Sequence, residues 1–273
     1  MGTPQLSFTQ NPVAGRSGMV SDTSTCDINT VYIAETLGIE PGRLMVRNGD
    51  DEAVLPAASA VDVDAIIATG GSSASIQTLD AADFDGVIGA DYMRVAQKIT
   101  LVLSNHTDWD ATDATLTGID ADGNTVSEDL AIPDGGNATV TSTGRYHQVT
   151  ELVIPAQTST GGTFTLGVAA PDGEIQGFAI LGIAHLDPTK EPPLTLPLDN
   201  VEGAVVRGKI WVKTDAQVSK GERAWVRVIA AGAEEIGVFR ASSDSGDALK
   251  VLGARFGIVA SATLAELIVD FAD

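Results

Sequence analysis

The stretch from Val201 to Val228 limits the possible folds more than any other. Val205, Val206, Ile210, Trp211 and Val212, and then Ala224 to Val228, are dense in β-branched and aromatic residues and lack a helical period. They predict two β-strands, parted by polar residues and Gly221. Arg207, Lys209, Lys213, Arg223 and Arg227 interleave with the apolar positions, the pattern of a sheet with one dry face and one charged face. A basic face is unexpected in this setting, because the whole chain carries a formal charge of −21.

That charge argues against a nucleic-acid partner, since such proteins neutralise phosphates with a basic surface. With 273 residues the chain can form one large or two medium domains, and 29 glycines with only 5% aromatics favour a turn-rich all-β chain over a helical one. Cys26, the single cysteine, cannot form an internal disulfide and reads as a small buried apolar residue. The start has no basic region followed by an apolar run, and no apolar stretch approaches the roughly 20 residues a bilayer needs. A soluble, cytoplasmically made protein with no membrane partner is expected.

Residues 1 to about 20 are rich in Gly and Pro and read as an extended arm. Leu44 to Leu55 reads as a hairpin turning at Asn48-Gly49. From 63 to 173 the texture changes: 15 acidic residues face only three basic ones, Arg94, Lys98 and Arg145, so this part holds −12 of the −21. Its predicted strands are Lys98 to Ser104, Ala114 to Ile119, Thr125 to Ile132, Ala138 to Ser142, Gln148 to Ile154 and Thr163 to Val168. Turn signals such as Asp122-Gly123 and Gly161-Gly162 punctuate them, which suggests a small antiparallel sandwich.

Beyond Gly173 the basic residues return, ten of the sixteen lying between Lys190 and Arg255. Glu174 to Ala184 reads as a strand, Pro188 to Pro197 as an extended connection, and Ile236 to Arg240 and Leu249 to Leu252 as further strands. Leu264 to Phe271 alternates, with Ala265, Leu267, Val269 and Phe271 on one side and Glu266 and Asp270 on the other. That is a half-buried strand.

Signals for chemistry are sparse. Asp120 to Asn124 opens like a calcium loop, but Thr125 stands where that loop needs Gly and Ala131 where it needs Glu, so a hairpin turn is the better reading. Asp108, Asp110 and Asp113 leave a loop calcium site open as a weaker alternative. His106, His147 and His185 lack any metal-ligand spacing, and the signatures of nucleophile elbows, phosphate loops, dinucleotide sites and redox pairs are missing. No enzyme, cofactor or metal is expected. Trp211 and Trp225, in strands predicted to be adjacent, read as core or intersubunit packing.

Several segments carry a resemblance to a known family. The Gly-rich arm ending Gly15-Arg16-Ser17-Gly18-Met19, the Leu44 to Leu55 hairpin, Ile175 to Ala184, Val218 to Val228 and Ile236 to Arg255 resemble the structural cement proteins that decorate the capsids of tailed bacteriophages. Thr115 to Gly123 and Val149 to Ala156 resemble the Ig-like sandwiches inserted in phage virion proteins. The resemblance implies an all-β fold: an arm at 1–20, a discontinuous β-barrel or jelly-roll-like base at 21–62 and 174–273, and an Ig-like antiparallel β-sandwich inserted at 63–173. It implies a virion protein on the capsid exterior that binds the major capsid protein and itself, as a dimer or trimer, and stabilises the shell. The alternative is a tail- or capsid-associated host-surface adhesin working through the sandwich. Arg16, Met19, Arg207, Lys209, Trp211, Lys213, Lys220, Arg223, Trp225 and Arg227 are the expected interface residues, on a face that is either simply solvated or complementary to an acidic shell.

Overall fold

The computed structural model describes residues 16–105, 109–135, 137–186, 195–232, 234–261 and 263–271. The chain is all-β, with one sheet curled into a half-barrel. That sheet takes its strands from both ends of the chain. β1 (Val20–Tyr32), β2 (Leu44–Arg47) and β3 (Ala53–Val54) come from the beginning. The remaining strands come from the end: β12 (Glu174–Ile175), β13 (Ile180–Ala184), β14 (Val201–Lys213), β15 (Arg223–Arg227), β16 (Phe239–Arg240), β17 (Ala248–Phe256) and β18 (Leu264–Asp270). The order is β16-β15-β17-β18-β14-β13-β2-β3, with β1 on β14 and β12 on β17. All of these pairings are antiparallel except β12 with β17.

β14 is the spine of the half-barrel. Along one edge it pairs with β1; along the other it meets β13 at Val205 and β18 from Arg207 onward. A register shift between the Asp27–Arg207 and Ile28–Val205 pairs leaves Val206 as an extra residue in β14. Such a bulge swaps the faces of a strand, so Val205 and Ile210, an odd number apart, both reach the larger core. Val212, Ala224, Val226, Val251, Phe256, Leu267 and Val269 complete that side. Met45, flanked by Leu44 and Val46 in the larger core, points the other way into a smaller cluster with Ile33, Ile39 and Leu196.

Between the two contributions lie β4 (Asp62–Gly71), β5 (Gln77–Asp80), β6 (Ile99–Ser104), β7 (Thr112–Asp120), β8 (Thr125–Ile132), β9 (Ala138–Thr141), β10 (Tyr146–Ile154) and β11 (Thr163–Val168). They form two antiparallel sheets, β4-β11-β6-β9 and β5-β10-β7-β8. Ile66, Leu101, Leu103 and Leu166 from one sheet share a core with Leu116, Leu130, Leu152 and Ile154 from the other, which makes a β-sandwich. Trp109 meets Phe164 edge-on at 6.2 Å, and the Phe164 ring lies so close over Gly70 that a Cβ there would fall 2.1 Å from it.

Several expectations need correction. The β2–β3 hairpin turns through Asn48–Glu52 instead of a two-residue loop, because Asn48 Oδ1 accepts the Asp50 and Glu52 N–H groups, both at 2.9 Å. Glu174 to Ala184 breaks into β12, a 3-10 turn at Gly177–Ala179 and β13. β1 starts within the expected arm. Ser17 Oγ donates to the Pro41 carbonyl at 2.6 Å and the Gly18 N–H to that of Trp211 at 2.6 Å, which ties Arg16–Met19 to the sheet. Residues 1–15 of the arm and 187–194 of the proline-rich connection lie outside the described residues.

The sandwich is joined to the half-barrel by a dense seam. Val95 enters the larger core of the half-barrel. Gln97, fully buried, accepts the Ser59 N–H at 2.7 Å and donates to the Ser59 and Ala169 carbonyls at 3.1 and 2.8 Å. Arg94 pairs with Glu35 at 2.7 Å, while Lys98 and Arg145 reach Asp172 at 2.9 and 3.7 Å. The three basic residues of the acidic segment are therefore all paired, Arg94 across the seam and Lys98 and Arg145 with an acid at the segment's own end.

Candidate docking face

Because Ile210 and Val212 turn into the core, Arg207, Lys209, Trp211 and Lys213 project from the opposite face of β14. That face is charged as expected, but it is not simply basic. Arg207 pairs with Asp270 on β18 at 2.9 Å and with Asp27 on β1 at 3.6 Å. Lys209 lies 3.9 Å from Asp22, and Lys213 lies 2.6 Å from Glu235 and 3.9 Å from Glu40. The hydrogen bond from Lys213, with further help from the neighbouring Arg43, holds the Glu235 carboxyl below the usual carboxylate range. The cations were visible in the sequence; the acids that the topology lays beside them were not.

Arg227 is the clearest correction. Its neighbours Val226 and Val228 face the core, so its side chain points to the other face, yet it is wholly buried there. Loops from outside the strand fold over it: the guanidinium contacts Asp215 at 3.1 Å, Asp244 at 2.5 Å, Glu234, and Asp247 at 3.9 Å. Arg240, nearly buried, joins through Asp215 and Asp244. Desolvation disfavours the charge on Arg227, but the carboxylates outweigh it and hold the group protonated. Asp244 is lowered in turn, first by its hydrogen bond from Arg227. Arg227 is an internal brace, not an interface residue.

Trp211 and Trp225 do not lie on adjacent strands, since β17 and β18 run between β14 and β15. Both are half-buried on separate parts of the sheet. Met19 and Arg16 sit exposed at the edge of the face, where the Met19 carbonyl accepts the Trp211 N–H at 2.8 Å.

Neither protein-family models nor curated protein sequences match this chain.

Lys220 and Arg223 are exposed, as is Arg255, which is not among the interface residues expected from the sequence. Its signal was present in the alternation Ala254-Arg255-Phe256. Among the described residues none of these three side chains meets a carboxylate or other polar partner. Arg223 and Arg255 line an open groove of about 740 Å³ together with Arg207, Lys209, Leu252, Ile268 and Asp270. Gly253 forms its floor in a left-handed conformation, φ 77°, where a Cβ would fall 2.3 Å from the Asp270 carbonyl oxygen.

A second groove, about 570 Å³, follows the seam past Asn48, Asp51, Tyr92 and Phe178. Arg47 lies 4.4 Å over the Phe178 ring, and Tyr92 stacks on the buried His147 at 4.9 Å. Burial pushes the Tyr92 hydroxyl up to about 12, so it stays protonated at neutral pH. These groups clamp two units together. The turn at Asp120–Asn124 is a β7–β8 hairpin in which the Asp120 carboxylate accepts the Asp122 and Asn124 N–H groups. Asp110 ties down the Thr158 N–H and hydroxyl at 2.7 and 2.8 Å, while Asp108 and His106 lie outside the described residues.

Proposed function

We propose that the protein is a structural cement that binds the outside of an assembled capsid shell, as in tailed bacteriophages, and works by binding alone. The observation that carries this reading is the joining of the chain's two ends in one half-barrel sheet that leaves a broad, charged face open, with a separate acidic sandwich set to one side. A broad open face suits a repeating flat partner better than a small substrate. Each copy that buries interface only against the assembled lattice stabilises the lattice by mass action. Lys220, Arg223 and Arg255, with Arg16 and Met19 at the edge, are the contact groups; Arg207, Lys209 and Lys213 are held by their acids and order the face. Copies pair as dimers or trimers at lattice axes. The Ig-like character of the sandwich and its outward orientation belong to the same proposal, because a unit with 15 acids and no basic residue to spare is repelled by an acidic shell.

Electron microscopy of shells incubated with the full chain tests this. The expected result is many copies per particle with the half-barrel against the shell. Few copies, or a sandwich in contact and a half-barrel facing out, would replace it with the adhesin reading.

A further inference from the structure

The open groove contains a costly arrangement. Arg223 on β15 is registered directly opposite Arg255 on β17, and Arg255 is registered opposite Ile268, which is itself opposite Lys209 on β14. This makes a transverse row, Lys209–Ile268–Arg255–Arg223, spanning about 14 Å at the usual strand spacing. Like charges directly opposed across a ladder destabilise a sheet. The chain has acids in excess, and it places them beside Arg207, Lys209 and Lys213, but among the described residues none is placed beside the Arg223–Arg255 pair. Asp270, the acid that lines the groove, is engaged by Arg207.

We propose that this groove receives an extended acidic segment of a partner protein, whose carboxylates complete the Arg223–Arg255 pair. Guanidinium groups match carboxylates in bidentate geometry, and the half-buried Ile268 with the exposed Leu252 gives an apolar patch beside the cations. An extended chain repeats same-face side chains about every 7 Å, so carboxylates two and four residues apart cover the length of the row. The inference deepens the shell-binding reading and rests on it for the partner's identity, though not for its chemistry.

The test uses the full chain and a fluorescent hexaglutamate peptide, followed by anisotropy. Binding is expected in about 20 mM salt and weakens severalfold in about 150 mM salt. The double variant Arg223→Gln/Arg255→Gln is expected to lose about tenfold or more in affinity, while Lys98→Gln, on the sandwich and outside the groove, stays within about twofold. Because the substitutions relieve a like-charge pair, the double variant should melt at the same temperature or about 1–2 °C higher. Equal binding by the double variant, a clear fall in its melting temperature, or no hexaglutamate binding by the parent would overturn the inference. So would tighter binding of a short oligothymidylate than of hexaglutamate, or parent self-association that the double variant abolishes. Sedimentation with shells separates the two readings. Shell binding unaffected by the double variant removes the groove but keeps the cement. Arginine-dependent hexaglutamate binding without shell binding does the reverse.

Discussion

The sandwich and the half-barrel are both built from antiparallel strands, yet they treat charge in opposite ways. In the sandwich two sheets cover each other, so Trp109, Tyr146, Phe164 and the aliphatic residues around them close a single core, and acids are left to the surface. The half-barrel has only one sheet. Part of its second face is covered by loops, and loops bring polar backbone and charged side chains with them. Accordingly Arg43, Arg227 and Arg240 are all buried there, each against carboxylates. A self-closing sandwich can dispense with internal ion pairs; an open sheet uses them to fasten its cover.

The difference predicts where substitutions hurt. Arg227→Ala should cost about 3 kcal/mol, at the lower end for a broken buried pair because Glu234, Asp244 and Asp247 still reach water. Urea unfolding followed through Trp211 and Trp225 would measure it. Neutralising an exposed sandwich acid, Asp122→Asn, should change stability by no more than about 0.5 kcal/mol. If both substitutions cost the same, the contrast between the two units fails.

Gln97→Leu comes next, at about 2 kcal/mol, since it strands the Ser59 N–H and the part-buried Ser59 and Ala169 carbonyls at the seam. Calorimetry should then separate one transition into two, as the sandwich and half-barrel lose their connection. A single transition at the parent temperature would show that Val95 and the ring stack suffice to hold the seam.

How much of this was legible varied with the kind of interaction. The six later strands of the sandwich were readable within a residue or two, because each carries its own apolar alternation and ends at a Gly- or Asp-rich turn. β1 was not, since Ser21, Asp22, Asp27 and Asn29 have no strand preference and are ordered by pairing with β14. The same gap explains the docking face. Arg207, Lys209 and Lys213 were recognised from alternation, but Asp27, Asp22 and Glu235 are 180, 187 and 22 residues away and come together only through topology. Arg227 obeyed the alternation and was still misread, because the loops that bury it leave no periodic trace.

The smallest expected effect tests the seam by pH. His147 on β10 is buried, with Nδ1 2.8 Å from the Met93 carbonyl, Tyr92 stacked on one side and Phe178 tilted at 6.2 Å. Burial lowers its pKa below the ordinary value of about 6.5, and the nearby Arg47 lowers it further, against an opposing pull from the Met93 carbonyl and Asp120. The unfolded chain therefore takes up this proton at a higher pH than the folded one, and stability falls as pH drops from about 6.5 through the folded-state value. Glu128, Glu235 and Asp244 are also lowered, but those carboxylates give up stability only below about pH 4.5. Between pH 7 and 5 the melting temperature should thus decline through His147 alone of these groups. In His147→Gln, which keeps a donor for the Met93 carbonyl but cannot titrate, that decline should flatten. A slope unchanged by the substitution would place the titrating group elsewhere and leave the seam indifferent to pH.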